Sequence, residues 1–162
     1  MASNRLKLNV DKTQFIWLGS PRQLAAVSQV QLIIGEVVTA SDTIRDLCVT
    51  LDAQLTMKNH VDGVARSCFY QLRQLRSIRR SVPTDALHTL VHAFISSRID
   101  YCNAVLYGAT DAVIRRLQAV LHAEARLITG IRRNDHITPT LCDTLLAAHI
   151  SAHYVQNCAD DI

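Results

Sequence analysis

Apolar positions follow two different rhythms along the chain. Up to residue 56 they come in short runs broken by polar or turn-forming residues, the signature of strands. Residues 14–18 (Gln-Phe-Ile-Trp-Leu) are aromatic and β-branched and stop at Gly19. Residues 30–34 and 37–39 flank Gly35 and Glu36, which predicts a tight hairpin. Residues 47–51 (Leu-Cys-Val-Thr-Leu) predict a further strand, and Pro21-Arg22-Gln23 a surface loop. A short N-terminal helix and a polar turn over residues 9–13 precede them.

From Met57 the period becomes helical. Val61, Val64, Ala65, Cys68, Phe69, Leu72 and Leu75 share one face, ending near Ser81 before Pro83. A second helix starts at Pro83-Thr84-Asp85 with Leu87, Leu90, Val91, Phe94 and Ile95 inward. After an ambiguous stretch that Gly108 closes, a third helix carries Val113, Leu117, Val120, Leu121, Leu127 and Ile128, with Gly130 as its C-cap. Glu124 falls in the middle of that stripe; an unpaired buried carboxylate is costly, so the expectation is an arginine partner or loose packing. The fold class is therefore α+β: three or four short strands, then a bundle of three or four helices. The division is residues 1–56, β-rich; 57–140, helical; and 141–162, a C-terminal helix or tail.

Composition narrows the class. With 162 residues, 49% hydrophobic and 19% charged, the chain is globular and long enough to bury a core. The net charge is +3, and only Lys7, Lys12 and Lys58 of the 17 basic residues are lysine. Guanidinium forks match phosphates and stack on bases, so this bias leans toward nucleic acid. No apolar run reaches the roughly 20 residues of a membrane span, and no secretory leader is visible. Five scattered cysteines without a CxxC pair read as reduced thiols of an intracellular protein.

A family resemblance gives the series of motifs a meaning. Asn4-Arg5-Leu6-Lys7-Leu8-Asn9, then Asp11-Lys12-Thr13, Phe15 and Gly19, resemble the strand motif that follows the catalytic site in reverse transcriptases of non-LTR (LINE-type) retrotransposons. Arg45-Asp46-Leu47-Cys48-Val49 with Leu51-Asp52 resembles the next motif, which builds the primer-grip hairpin. Ser97-Arg98-Ile99-Asp100-Tyr101-Cys102-Asn103, then Leu106-Tyr107-Gly108, is similar to a signature of the helical thumb, continued by Leu117-Gln118 and Arg126-Leu127-Ile128-Thr129-Gly130. The resemblance covers roughly residues 1–140. Val10 stands where the family has proline and Cys48 where it has glycine. After Thr144 the chain departs from the family pattern, as a truncated and diverged copy would.

The resemblance implies an RNA-directed DNA polymerase as the parent, with Mg²⁺ held by carboxylates upstream of this segment. The chain itself then carries no cofactor, takes no small-molecule substrate alone and is catalytically inactive by itself. Asp160-Asp161 resembles half of the carboxylate box, but a chain terminus cannot aim two carboxylates at shared metals. Lys12 matches a lysine placed near the incoming triphosphate and is the one remnant of the catalytic site; its alternative is a solvated lysine in a turn. The partner implied is the template–primer duplex. On a helical wheel, Arg76, Arg80, Arg73 and Arg66 lie about 60°, 100°, 120° and 140° from Val61, on one flank. No acid lies between Asp62 and Asp85, so the stripe suits a phosphate backbone or is a solvated face. Arg79 falls toward the apolar side at the fraying end. His88/His92 and His149/His153 have i, i+4 spacing but no third ligand in sequence, and read as surface histidines rather than a metal site. The competing class is a helical nucleic-acid- or protein-binding module without enzymatic activity.

Overall fold

The computed structural model describes residues 9, 12–27, 32–34, 36–101 and 103–131. The N-terminal helix, the C-terminal helix or tail, His149, His153, Asp160 and Asp161 lie outside the described residues. The chain divides into two compact units, Met1–His60 and Val61–Ile162. The class is α+β, mostly helical.

The first unit holds helix α1 (Pro21–Val27) and two antiparallel hairpins, β1 (Leu32–Ile34) with β2 (Glu36–Val38) and β3 (Thr43–Asp46) with β4 (Val49–Asp52). Among the described residues the strands do not all fall where the apolar runs predict them. Residues 14–18 make only a single parallel bridge, Phe15 to Ala40, supported by the Ser41 N–H donating to the Phe15 carbonyl at 2.8 Å. Residues 21–23, expected as a loop, open α1 instead. Gln23 reaches back over the start of the helix, as in one arm of a capping box: the Ser20 N–H and hydroxyl donate to Gln23 Oε1 at 2.9 and 2.8 Å, and Pro21 sits where a missing N–H costs nothing. That spacing is present in the sequence and outweighs the loop signal of proline.

The β3–β4 turn also corrects the strand expected over residues 47–51. Leu47 and Cys48 are the two turn residues, with φ of +43° and +68°, and the strand resumes at Val49. Two positive φ values give the twist that a two-residue hairpin needs, which is why glycine is favoured there. The Cys48 side chain occupies this left-handed region at a cost. After β4, the Asp52 carboxylate accepts the N–H groups of Thr56 and Met57, both at 2.9 Å. Burial opposes its ionisation, but these hydrogen bonds together hold its pKa below the ordinary value. They gather the chain into α2 (Lys58–Ile78), whose first turn belongs to this unit.

The second unit is helical. After α2 come a 3₁₀ turn over Arg79–Ser81, helix α3 (Thr84–Val91), a π turn over His92–Ser96 that runs straight into α4 (Ser97–Asp100), a 3₁₀ turn over Asn103–Leu106, and α5 (Asp111–Thr129). Gly130 takes φ +78° and its N–H donates to the Arg126 carbonyl, the expected C-cap. The core joins Val61, Cys68, Leu72 and Leu75 of α2 to Leu87, Val91, Ile95 and Ile99, and to Val113, Leu117, Val120 and Leu121 of α5. Phe94 and Phe69, expected inside, are 41% and 42% exposed. For Phe94 the cause is the π turn. One extra residue in the turn rotates the downstream side chains by about 100° and breaks the 3.6-residue count. Ile95, Ser96 and Ile99 then face inward, although a regular helix would put Ser96 opposite Leu87.

That rotation gives Glu124 its partner. Glu124 is 4% exposed, and the partner is no arginine: the Ser96 hydroxyl, 1% exposed, donates to Glu124 Oε1 at 2.7 Å. The other oxygen, Oε2, has no hydrogen bond among the described residues. Burial pushes the carboxyl up to about 7, and the serine hydrogen bond only partly opposes the rise.

These contacts set two expectations for stability. Cys48→Gly removes left-handed strain of about 1–2 kcal/mol, part of which the freer unfolded chain offsets. The urea midpoint should therefore rise, corresponding to about 0.5–1 kcal/mol; a lowered midpoint refutes the strain. For Glu124 the folded pKa lies above the unfolded value of 4.5. The unfolded chain loses that proton first, so stability is full below about pH 4.5 and falls as pH rises through about 7. Glu124→Gln should abolish this loss, on the order of 3 kcal/mol at pH 8. Melting curves of the two proteins that run parallel from pH 4 to 8 would rule it out. His122, whose pKa is lowered first by burial and then by Arg126, is common to both proteins and cancels.

Candidate nucleic-acid interface

Helix α2 turns an apolar face inward and a basic flank outward. Leu72 and Leu75 are buried at 3% and 4%, while Arg66, Arg73, Arg76 and Arg80 are all exposed. The flank departs from the wheel at its end. Arg79 and Arg80 sit in the 3₁₀ turn, which advances about 120° per residue, so the angle drawn for Arg80 from an α-helical step does not hold. Arg79 is not a fraying end either. Its Nη2 makes a long 3.5 Å contact with the Ile128 carbonyl, at the negative end of α5. Gly130 leaves room for it: a Cβ there would stand 2.5 Å from that nitrogen.

The arginines do not all face the same space. α2 and α5 border two neighbouring clefts that share Phe69 and Ala119. The larger, about 570 Å³, is lined by Arg76, Arg79, Arg126, Phe69, Ala119 and Ala123, with Leu127, Gly130 and Ile131 closing it. The smaller, about 320 Å³, is lined by Arg66, Arg116, Asp62, Ala65, Phe69 and Ala119. Arg73 and Arg80 line neither. Asp62, the acid bordering the smaller cleft, pairs with Arg116 of α5 and leaves Arg66 without a carboxylate there. Such an exposed pair contributes little stability, on the order of 0–1 kcal/mol. Sequence spacing does not single out Arg126, because it lies on α5; only the approach of the two helices brings it beside Arg76. Its Nε is buried and has no hydrogen-bond acceptor among the described residues.

The remaining candidates lie apart from this surface. Lys12 is exposed in a turn closed by its own N–H on the Asn9 carbonyl at 3.3 Å, with the Thr13 hydroxyl on the same carbonyl at 2.8 Å. His88 and His92 are both exposed. Arg98, within the segment that resembles a thumb signature, donates to the Ser67 hydroxyl of α2 at 2.6 Å. Cys68 is fully buried, and burial pushes its thiol up to about 11, so it is a poor nucleophile. His60 accepts the Thr50 N–H on Nδ1 at 3.4 Å, and burial lowers its pKa. Among the described residues no three His, Cys, Asp or Glu side chains gather into a metal-binding group, and no helix is long and apolar enough to cross a membrane. The chemistry this surface can offer is recognition of anions and of planar groups. The chain matches no family model, no curated protein and no solved structure.

Proposed function

We propose that the chain is a nucleic-acid-binding segment akin to the end of the palm, primer grip and thumb of a non-LTR retrotransposon reverse transcriptase, with α2 lying along the template–primer phosphates. The observation that carries this reading is the basic flank of α2 and the 3₁₀ turn after it: Arg66, Arg73, Arg76 and Arg80 stand exposed, and no acid interrupts the stretch between Asp62 and Asp85. Phosphate contacts from such a flank hold a duplex in register without reading its sequence. The β3–β4 hairpin supports the reading, because it falls on the residues that resemble the primer grip. The positive φ of Cys48 fits the glycine that the family has at that point. In the parent enzyme Mg²⁺ would act at carboxylates outside these motifs, so this chain grips and does not polymerise.

Two measurements test it. Binding to duplex should be weak, indifferent to sequence and steeply salt-dependent. Replacing Arg73 and Arg76 together by Gln should flatten the slope of log affinity against log salt by roughly two units. Gln preserves helix propensity, so an unchanged slope in a folded double variant returns the flank to a solvated face. Purified chain with Mg²⁺, template–primer and nucleotides should give no extension; extension abolished by Asp160→Asn with Asp161→Asn would overturn the proposal.

A further inference from the structure

The larger α2/α5 cleft has features that the flank of α2 does not need. Among the described residues its lining carries three guanidinium groups, Arg76, Arg79 and Arg126, and no carboxylate. Like charges drawn together at a partly enclosed site repel one another unless an anion joins them. Arg79 reaches across to the end of α5, with one guanidinium nitrogen 3.5 Å from the Ile128 carbonyl and beside Gly130. Arg126 brings a buried Nε that no protein acceptor among the described residues satisfies. On the α5 side, Ala119 and Ala123 stand one turn apart and keep the wall open in front of Phe69, a ring 42% exposed that borders both clefts. A volume of about 570 Å³ exceeds what a lone phosphate fills and lies in the range of small-ligand pockets.

We propose that this cleft binds one nucleotide unit, its phosphate on Arg76, Arg79 and Arg126 and its base against Phe69. The combination of a basic groove with an aromatic platform is how unpaired strands are held, since every base has a face to stack. A base inside a duplex is already stacked and cannot reach Phe69, so the cleft selects an unpaired nucleotide where the α2 flank takes duplex phosphates. The inference rests on the nucleic-acid reading above and shares Arg76 with it. Phe69, Ala123 and Arg126 are not part of that arginine flank.

The test uses the full chain, fluorescence anisotropy and three probes: an oligothymidylate, an abasic strand of the same length, and a duplex. Phe69→Leu should weaken the oligothymidylate about tenfold and leave the abasic strand unchanged. Arg126→Gln should weaken both strands and lower the salt slope by about one unit. Ala123→Met fills the cleft without touching charge and should mimic Phe69→Leu; it keeps the test decisive if Arg126→Gln fails to fold. Arg115→Gln, an exposed α5 residue outside both clefts, is the charge control. Calorimetry with AMP and with inorganic phosphate separates the sources. AMP binding as tight as the oligothymidylate assigns the cleft to free nucleotide, and far weaker AMP binding assigns it to a strand; either supports the site. Oligothymidylate binding unchanged in folded Phe69→Leu and Ala123→Met overturns it. Loss in those variants, with a duplex salt slope indifferent to Arg73 and Arg76, instead keeps the cleft and removes the flank.

Discussion

A carboxyl group in the middle of an apolar helix face sets the terms for the second unit. Glu124 is buried beside Leu121, Ala125 and Leu127, and a carboxylate there must be hydrogen-bonded or neutral. The fold supplies both in part: a serine hydroxyl on one oxygen and a pKa raised to about 7. Ser96 reaches it only because the helix between Val91 and Ser97 carries a π turn. The same turn seats Ile95 and Ile99 in the core and sends Phe94 outward. The Ser96–Glu124 hydrogen bond and the burial of Ile95 and Ile99 thus share one helical register.

The basic surface has a comparable logic of space. α2 buries Cys68, Leu72 and Leu75, which leaves its arginines no place but the opposite flank and the seam with α5. At that seam α5 presents alanines and ends on a glycine, so side chains from α2 are not pressed flat but border open clefts. The ion pair of Asp62 with Arg116 uses up the nearby acid. What remains among the described residues is positive charge around an exposed aromatic ring, and the proposed nucleotide site rests on that combination.

Much of this was legible in the chain. The period of α2 and α5, the Gly130 cap, the β1–β2 hairpin and the exposure of four arginines all come from local spacing, because each depends on residues within one element. The Ser20–Gln23 contact that opens α1 is equally local, and only the competing signal of Pro21 masks it. The cysteine in place of a turn-favouring glycine marks the β3–β4 turn, though the apolar run predicts a strand that starts two residues before β4.

Other features had no local sign. Nothing between His92 and Ser96 announces a π turn, since the extra residue is accepted for the sake of core contacts made by Ile95, Ser96 and Ile99 with other elements. The partner of Glu124 lies 28 residues away and is a serine, a residue that patterning assigns to the surface. Arg126 and Arg76 stand 50 positions apart, and Arg79 finds its place only against the end of α5. The sequence by itself determined the elements, their apolar faces and the sign of the charge on α2. Tertiary structure alone decided which arginines share a cleft, that Phe69 borders it, and that burial raises the pKa of Glu124, because those depend on distances between helices that no spacing within a helix contains.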